Sequence, residues 1–570
     1  MIILGINYSS HDAAIALIKD GEVVFACEGE RLNREKHTKK FPAQALKKCM
    51  EYTGVRLEDI DYIAFFINPK LQYKIIIWNL IQAFPKSIFY IPYGISIIRK
   101  RYKMTSILKN KINNSNLPPI LYVNHHIAHA ASAFFLSPFE RAAILTIDGR
   151  GEYETTTISH GIGTSIKKLF SIKYPHSIGY LYSMVTKYLG FKPQHDEYKV
   201  MGLSAYGRPI FCKEFRKIIT LDEKRGFRLN LEYFDHHYKH GNNRKLFSKK
   251  FVKEFGPPRM PHEPITQRHK DIAFALQKVT EEAILHLAKI AKNLTSEENL
   301  CMAGGVALNS VANAKLIDSK IFKKIFIQPA ANDAGTSVGS ALYIHYQKSK
   351  HFRKNLGIKD VYWGPSFSEK EIELTLIRYK DEIKIEKLRD PEKKAANFIH
   401  NGHIVGWFQG KMEFGPRALG NRSILASPTD PKMKDIINKK VKFREDFRPF
   451  AASILSEYAD KFFECDSIGE HLYPFMLATV KVKPEVADKI PAVLHIDKTS
   501  RIQVVDKDIN PPFWNLINEY FKLSGIPLIL NTSFNTKGEP IVCTPNDAIQ
   551  TFLNSNLDYI ILGNFLIGRL

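Results

Sequence analysis

Cysteine is scarce in this sequence, and no two cysteines are arranged as a pair. The chain has six, at positions 27, 49, 212, 301, 465 and 543, and none belongs to a Cys-x-x-Cys motif. Isolated thiols do not suit the disulfide scaffold of a secreted protein, so we expect a reducing, cytoplasmic setting. The first residues lack the basic leader and cleavage site of a signal peptide and instead predict a buried strand.

Long uninterrupted apolar runs are also absent. The most apolar stretch, Ile75 to Ile98, is broken by Asn, Gln, Pro and Lys at positions 79, 82, 85, 86 and 92. A membrane-spanning helix needs about 20 consecutive apolar residues, so no transmembrane helix is predicted. The wider segment from Tyr73 to Tyr102 ends in a basic cluster that includes Arg99, Lys100 and Arg101. It fits two hypotheses: a core helix pair covering a sheet, or an amphipathic surface that contacts a lipid-linked sugar near an anionic membrane.

Acidic residues are also few in comparison with basic ones. Asp and Glu total 58 against 82 Lys and Arg, which gives a formal net charge of +24. The surface should therefore attract polyanions, phosphorylated ligands or anionic membranes, and charge alone does not choose among them. Hydrophobic residues at 44% and charged residues at 25% are ordinary for folded proteins. This composition argues against disorder and coiled coil, and no repeat of solenoid length is visible.

What is present is an alternation of strands and helices, which is typical of the α/β class. A strand over residues 2–8 and a polar turn at Ser9 to Asp12 precede a hairpin across Asp20-Gly21. A long amphipathic helix over about 272–292 precedes a strand at 299–302. Because 570 residues exceed one hydrophobic core and the pattern dissolves between His345 and Asp360, we predict two α/β domains, 1–355 and 356–570.

Two histidines are spaced to form half of a metal site. An N-cap at Asn124 would put His125 and His129 on one face of a helix. The residue after the first histidine is another histidine, not the glutamate of a zinc peptidase, which argues against that class. Carboxylates at glycine-rich strand ends could complete the site, and the candidates are Asp148 and Asp333. The alternative is that one histidine caps the helix and the other packs in the core.

A glycine turn, Gly304 to Asn309, follows an apolar strand and enters a helix. Its backbone amides could meet a phosphate or a ribose. Two other turns, Gly5 to Asp12 and Asp148 to Gly151, could face it in the manner of actin-like ATPases and sugar kinases. The alternative is a small-residue turn that permits close helix packing.

Basic side chains in the C-terminal half stand among glycines, prolines and apolar residues. They are Lys411, Arg417, Arg422, Lys442, Arg444 and Arg448. Rigid turns would present them for bidentate capture of a phosphate or a planar carboxyl-like group. The alternative is structural ion pairing, for example of Arg444 with Glu445. A polar loop from Asn531 to Asn535, after a predicted strand over residues 527–530, would complete the pocket or form turns.

Together these blocks closely resemble the O-carbamoyltransferase family that includes the nodulation-factor, cephamycin and tobramycin carbamoyltransferases. The most specific blocks are Phe408 to Ile424, Phe447 to Phe450, Asn531 to Asn535 and Gly538 to Ile541. The N-terminal blocks that agree are His11 to Ala14, His125 with His129, Lys199 to Leu203 and Gly304 to Asn309. The resemblance spans nearly the whole chain. The chain departs from it at Glu28-Gly29-Glu30-Arg31 and at Asp497-Lys498-Thr499-Ser500-Arg501.

The resemblance implies an N-terminal actin-like ATPase domain, similar to the tRNA threonylcarbamoyltransferase, and a C-terminal YrdC-like domain. In such enzymes the C-terminal domain converts carbamoyl phosphate and ATP to carbamoyl-adenylate. The metal-bearing N-terminal domain then transfers the carbamoyl group to a hydroxyl of a sugar, glycan or natural product. Iron(II) is the implied metal, zinc stays open, and magnesium is expected with ATP.

The resemblance also assigns roles to individual residues. The implied metal ligands are His125, His129, Asp148 and Asp333. The implied nucleotide-binding residues are Lys199, Gly202, Gly304, Gly305 and Asn309. The implied carbamoyl-phosphate residues are Lys411, Arg417, Arg422, Lys442, Arg448, Arg501 and Asn531.

The acceptor hydroxyl needs a base or a metal to become nucleophilic, because its pKa lies far above neutrality. His11, beside Asp12 in the first turn, is the best-placed candidate base. The alternative is a surface histidine without a role.

Two rival functions and several partners stay open. A carbamoyltransferase acting on tRNA would suit the net charge, but the single-chain fusion with the Gly-Pro-Arg-Ala-Leu-Gly block favours small-molecule or glycan hydroxyls over nucleic acid. A non-enzymatic, nucleotide-dependent interaction module is the rival of another class, and it predicts no turnover of ATP with carbamoyl phosphate. Peripheral contact with an anionic membrane and a homodimer both stay open.

Overall fold

The computed structural model describes residues 1–112, 117–239, 245–349 and 357–570. They form two compact units. The first comprises Met1–Ser10, Ile15–Val23 and Val55–Ile358, and the second His11–Ala14, Val24–Gly54 and Lys359–Leu570. The predicted α/β class is confirmed. The predicted domain boundary at residues 355 and 356 lies outside the described residues, and no sequence pattern indicated that two N-terminal segments belong with the C-terminal half.

The described residues form 21 β-strands. They are β1 (Ile2–Asn7), β2 (Ala14–Lys19), β3 (Glu22–Glu28), β4 (Tyr62–Phe65), β5 (Ile120–Tyr122), β6 (Arg141–Ile147), β7 (Glu154–Ile162), β8 (Ser165–Lys173), β9 (Ile219–Asp222), β10 (Gly226–Leu229), β11 (Asn299–Ala303), β12 (Lys324–Ile327), β13 (Ile383–Lys387), β14 (Val405–Phe408), β15 (Arg422–Ala426), β16 (Ala451–Leu455), β17 (Thr479–Lys481), β18 (Thr499–Val505), β19 (Leu528–Ser533), β20 (Tyr559–Leu562) and β21 (Phe565–Arg569).

The helices alternate with these strands. They are α1 (Gly29–Asn33), α2 (Ala43–Thr53), α3 (Lys74–Ala83), α4 (Ile91–Tyr102), α5 (Met104–Ile112), α6 (His125–Phe134), α7 (Ile178–Tyr188), α8 (Glu197–Ser204), α9 (Cys212–Ile218), α10 (Lys249–Phe255), α11 (Gln267–Thr295), α12 (Ser310–Asp318), α13 (Gly335–Lys348), α14 (Glu369–Ile377), α15 (Pro391–His400), α16 (Met433–Ile436), α17 (Ala459–Phe462), α18 (Pro484–Ala487), α19 (Pro511–Ser524) and α20 (Pro545–Leu553).

Two five-stranded sheets share one topology. The strand orders are β3-β2-β1-β4-β5 and β12-β11-β6-β7-β8, so each sheet places its first strand in the middle. In both sheets the first strand pairs in parallel with the fourth, and the fourth in parallel with the fifth. This doubled order is the arrangement of actin-like ATPases, which agrees with the fold that the resemblance implied. The turns that follow the two central strands carry the polar residues described below.

A nine-stranded mixed sheet forms the core of the second unit, in the order β13-β21-β20-β14-β15-β19-β16-β18-β17. Its central strands β14, β15 and β16 are buried along their whole length. Strand β19 continues to Ser533 and pairs with both β15 and β16. The sequence expectation of a loop from Asn531 was therefore wrong by three residues, because Asn531, Thr532 and Ser533 still make ladder hydrogen bonds.

Helices α3 and α4 form part of the predicted apolar segment. Their inner side is buried at Ile75, Asn79, Ala83 and Gly94, as expected for a helix pair on a core. Their outer side keeps large apolar residues exposed, as expected for an amphipathic surface. No helix in the described part of the chain combines the length and apolar character that a membrane crossing requires.

Candidate active sites

Four predicted side chains of the first unit converge on one point. The Nε2 atoms of His125 and His129 lie 3.1 Å apart. His125 Nε2 lies 3.2 Å from Asp148 Oδ2 and 3.6 Å from Asp333 Oδ1. His129 Nε2 lies 3.6 Å from the same Asp333 oxygen. The structure thus brings the four residues together, with one ligand atom of each within 4.8 Å of the others.

Three parts of the chain supply the four side chains. His125 and His129 stand one turn apart at the start of α6, Asp148 follows β6, and Asp333 precedes α13. Asn124 occupies the N-cap position, but its side chain makes no capping hydrogen bond. Glu152 does so instead, because its Oε1 accepts from the His125 backbone N–H at 3.0 Å and from the Asn68 N–H at 2.8 Å. The sequence did not identify Glu152, which lies 27 residues after the helix start.

The electrostatics of this cluster favour a bound cation. Burial alone would lower the pKa of His125, but Asp333, Asp148 and Glu152 outweigh it, and the pKa is raised. Burial and the neighbouring His125 lower the pKa of His129. Two imidazole nitrogens at 3.1 Å repel each other unless a proton or a cation lies between them. Two imidazoles and two carboxylates therefore fit a divalent metal, and this mixed donor set suits iron or zinc.

His126 lies outside the cluster, although it stands between the two converging histidines in the sequence. Its ring bonds to Thr146 Oγ1 at 2.7 Å and to the Glu154 carbonyl at 3.0 Å. Burial and its two histidine neighbours lower its pKa to about 3, so it stays neutral. His126 therefore holds α6 against the β6–β7 hairpin, and its role is structural.

The predicted nucleotide turn is tied to the same cluster. The Gly305 N–H donates to Asp148 Oδ1 at 3.1 Å. Gly304 has a φ of +94°, and a Cβ there would lie 2.2 Å from the Ile147 carbonyl, so only glycine fits. Asn309 caps α12, accepting from the Ala312 N–H at 3.0 Å.

The other two nucleotide candidates lie on α8. Lys199 Nζ is 3.2 Å from Asp196 Oδ1, and Gly202 is within the helix. Met201 of this helix reaches within 4.0 Å of Ser310 Oγ on α12. Helix α8 and the glycine turn are therefore neighbours, and the nucleotide role of these five residues remains a prediction.

In the second unit, Asp12 is held between two imidazoles. Its two carboxylate oxygens lie 2.8 Å from His11 Nδ1 and 2.6 Å from His37 Nδ1. Burial would raise the pKa of Asp12, but His37 and His11 outweigh it and hold the pKa well below its usual value. A carboxylate that accepts from Nδ1 fixes Nε2 as the basic nitrogen of each ring. His37 is 25 residues away in the chain, and nothing in its spacing identified it.

The second unit also concentrates positive charge. Arg501 on β18 is surrounded by Arg417, Arg444 and Arg448, and burial together with these guanidinium groups lowers its pKa well below the usual value. Lys442 is 3% exposed, and burial with Arg444, Arg448 and Lys36 lowers its pKa well below the usual value. Its ammonium donates to Asn535 Oδ1 at 2.8 Å and to the Asn535 carbonyl at 2.9 Å. Buried like charges of this kind are stabilised by a bound anion.

Buried side chains hold the loop that carries Arg417. Glu413 Oε1 accepts from the backbone N–H groups of Leu419, Asn421 and Arg422 at 2.8, 2.8 and 3.1 Å. Glu28 accepts from the Gly415 N–H at 2.9 Å, and Arg31 donates to the Gly415 carbonyl at 2.7 Å. The segment Glu28 to Arg31, where the chain departs from the family pattern, therefore still braces this loop.

Three predicted anion residues have other surroundings. Arg422 is fully buried, stacks 3.6 Å from the Phe408 ring centre and donates to the carbonyls of Gln409, Asn421, Pro365 and Gly410. This geometry supports the loop and does not present the guanidinium to a ligand. Lys411 is exposed, with its ammonium 5.7 Å from the Tyr52 ring centre. Asn531 donates to Ser453 Oγ at 2.9 Å inside the sheet.

Comparison with known proteins gives a consistent class. A family model described as carbamoyltransferase N-terminus matches residues 2–342, and one described as carbamoyltransferase C-terminus matches residues 396–569. Nodulation protein NolNO of Sinorhizobium fredii is 39% identical over 566 residues, covering 99% of this chain and 80% of the relative. Nodulation protein NolO of Bradyrhizobium diazoefficiens is 40% identical over 449 residues, covering 78% of this chain and 79% of the relative.

Protein sll1178 of Synechocystis is 38% identical over 601 residues, covering all of this chain and 96% of the relative. One solved structure is similar at low sequence identity. The activator of 2-hydroxyisocaproyl-CoA dehydratase from Clostridium difficile has 14% identity and a TM-score of 0.32, covering 61% of this chain and 95% of that one.

The two matched regions define a two-part α/β transferase. The chain belongs to the carbamoyltransferase family, with both the N-terminal and the C-terminal family regions present.

Proposed function

We propose that this chain is an ATP-dependent O-carbamoyltransferase that catalyses two successive reactions. The second unit converts carbamoyl phosphate, water and ATP to carbamoyl-adenylate, phosphate and pyrophosphate. The carbamoyl group is then transferred to a hydroxyl of a sugar, glycan or natural product, and AMP leaves. Adenylation supplies a good leaving group, and a closed protein site keeps the activated carbonyl away from water.

The observation that carries this proposal is the basic cluster of the second unit. Arg417, Arg444, Arg448 and Arg501 lie close enough for the other three to lower the pKa of Arg501. Guanidinium groups recognise phosphate and carboxyl-like groups through paired hydrogen bonds. A phosphorylated carbamoyl donor and a nucleotide phosphate would both neutralise this charge. The cluster lies in residues that the C-terminal family model covers.

The chemistry of transfer falls to two sets of residues. His125, His129, Asp148 and Asp333 would hold a divalent metal, which supplies Lewis acidity that lowers the pKa of a bound hydroxyl. His11 would accept the proton of the acceptor hydroxyl at Nε2, since Asp12 accepts from Nδ1 and fixes that tautomer. Asp12 is thus a positioning residue, and His37 holds it from the other side.

Product analysis tests the reaction class. The full chain is mixed with iron(II), magnesium, ATP and carbamoyl phosphate, with no acceptor added. Carbamoyl-adenylate, or AMP formed from it, is the expected product. No conversion of ATP beyond a control lacking carbamoyl phosphate would refute the proposal. Acceptor arms with glycans and with tRNA then separate the sugar-directed reaction from a tRNA-directed one.

A further inference from the structure

The outer side of residues 73–102 exposes an unusual concentration of large apolar side chains. Nine of the 22 exposed large hydrophobic residues of the described chain lie in this stretch of 30 residues. We call them the apolar outer surface: Tyr73, Ile77, Ile81, Phe84, Ile88, Phe89, Tyr93, Ile95 and Tyr102. Ile81, Phe84 and Phe89 are 65%, 71% and 72% exposed, far more than a folded protein leaves in one contiguous patch without a partner.

The spacing of these residues makes the exposure continuous along α3. Tyr73, Ile77, Ile81 and Phe84 recur every three or four positions, so they form one stripe. The opposite stripe of the helix, with Ile75, Asn79 and Ala83, is buried. A helix with two apolar sides needs burial on both, and the protein core covers only one of them.

The inner side is firmly attached to the first unit. Asn79 Nδ2 donates to the His237 carbonyl at 2.8 Å, and Gln82 Nε2 donates to the Tyr174 carbonyl at 2.9 Å. Tyr90 is 1% exposed, and its hydroxyl accepts from Arg150 at 3.0 Å. The apolar outer surface is therefore exposed although its segment is held in place by hydrogen bonds to the rest of the first unit.

Charge identifies the partner. Residues 62–139 contain no Asp or Glu, although the chain has 58 of them in 570 residues. Exposed cations of the same stretch lie within the apolar outer surface in the sequence, at Lys86, Arg99 and Lys100, and on either side of it, at Lys70 and Lys103. Apolar and aromatic side chains bordered by cations, without acids, match the interface of a bilayer that contains anionic lipids.

We propose that the apolar outer surface binds peripherally to an anionic lipid bilayer. Helices α3 and α4 have 10 and 12 residues, about 15 and 18 Å, so they would lie in the interface and not cross the roughly 30 Å apolar layer. A second copy of this chain is a poor occupant, because a symmetric contact would pair the same cations with one another. Nucleic acid would neutralise the cations but would leave the isoleucines exposed, since they cannot stack on bases.

Vesicle flotation of the full chain tests the proposal. Phosphatidylcholine vesicles with phosphatidylglycerol should carry the protein upward, and raising the salt concentration should weaken this. Phe84→Ser with Phe89→Ser should lower the partition coefficient at least about tenfold, because two large side chains no longer enter the interface. Arg99→Gln with Lys100→Gln should lower it about fivefold per charge on the anionic vesicles.

A matched control lies on α14 of the second unit. Leu374 and Ile377 are 53% and 57% exposed, so Leu374→Ser with Ile377→Ser removes similar apolar area and should leave flotation unchanged. Because all these side chains are exposed, the variants should unfold at the same denaturant concentration as the parent chain. Quenching of Trp78, on α3, by brominated lipid gives a second measurement, and Trp78→Phe should remove the quenching.

Three results would overturn the proposal. The first is the absence of flotation with the vesicles that contain phosphatidylglycerol. The second is equal flotation of the Phe84→Ser, Phe89→Ser variant and the parent chain. The third is a dimer in light scattering that this variant converts to monomer, which would make the surface a self-association site.

Discussion

The two candidate sites differ in the sign of the charge that they leave uncompensated. In the first unit, two carboxylates and Glu152 raise the pKa of His125, so the site attracts positive charge. In the second unit, burial and three neighbouring guanidinium groups lower the pKa of Arg501, so the site attracts negative charge. Neither cluster suits the ligand of the other. The contrast supports the proposed division of labour, in which the first unit would hold a cation for transfer and the second would hold phosphorylated anions for activation.

The supporting groups of the two sites also differ. Glu152 holds the first site by accepting backbone N–H groups at the start of a helix. In the second, Glu413 accepts three N–H groups of one loop, and Arg422 donates to carbonyls around it. In both units a buried charged side chain that bonds to the backbone sets the position of the candidate ligand-binding residues. Predictions can therefore address the ligand groups and their supports separately.

The largest effect is expected at the cation site. His129→Ala should lower bound metal and abolish carbamoyl transfer, because removing one of four converging donors leaves an open, weakly binding site. Even changes behind the ligands commonly cost 10- to 100-fold in metal affinity, so a ligand should cost more than about 100-fold. Elemental analysis of the purified chain after loading with iron(II) measures the loss. Carbamoyl-adenylate formation should stay near the parent level.

Two further variants control this result. Asp333→Asn keeps the shape of the side chain and should also lower metal content, so that a collapsed cavity cannot explain the loss. His160→Ala removes a histidine of the same unit that pairs with Glu297 outside the cluster, and metal content should not change. Unaltered metal content in both His129→Ala and Asp333→Asn would contradict the metal assignment.

The sequence predicted which four side chains converge in the first unit, but not the groups that support them. His125 and His129 follow from helical spacing, and the two aspartates from their glycine-rich strand ends. Glu152 and His37 could not be found in this way, because each reaches its partner through tertiary folding with no local period. Arg422 looked equivalent to Arg417 in the sequence. Only the structure shows four backbone carbonyls around it, which distinguish a structural arginine from a ligand-binding one.

The next largest effect is expected at the anion site. Arg417→Lys keeps the charge but loses the paired hydrogen bonds of a guanidinium, which no ammonium copies in geometry. Each hydrogen bond to a charged group contributes about 1.5–3 kcal/mol, so the loss of both should slow adenylate formation about 10²- to 10⁴-fold. Added synthetic carbamoyl-adenylate should restore transfer. Arg378→Lys, at an exposed position on the same unit, should change neither measurement.

A binding measurement sharpens the same comparison without turnover. Phosphate or carbamoyl phosphate should raise the melting temperature of the parent chain, because an anion bound only to the folded state stabilises it. The increase in melting temperature should be smaller in Arg417→Lys than in the parent chain, and in His129→Ala it should equal that of the parent chain. An equal increase in the parent chain and Arg417→Lys would show that Arg417 does not contact the anion.

A smaller effect is expected at His11. His11→Asn removes the basic Nε2 and should slow transfer about 10²-fold, which is the usual scale for a general base. Adenylate formation should stay near the parent level, and added carbamoyl-adenylate should not rescue the variant. If both His11→Asn and Arg417→Lys lost adenylate formation equally, the assignment of one step to each set of residues would fail.

The smallest effect is expected behind the cation site, where charge and geometry can be separated at Glu152. Glu152→Gln keeps an oxygen that accepts from the Asn68 and His125 N–H groups, whereas Glu152→Ala leaves both buried donors without it. An unsatisfied buried donor costs about 1–3 kcal/mol, so the alanine variant should unfold at clearly lower urea concentration than the glutamine variant. The glutamine variant loses only the negative charge that helps to raise the pKa of His125, and iron(II) should bind it about tenfold more weakly. Equal urea midpoints for the two variants would mean that the carboxylate acts on His125 through its charge and not as the cap of α6.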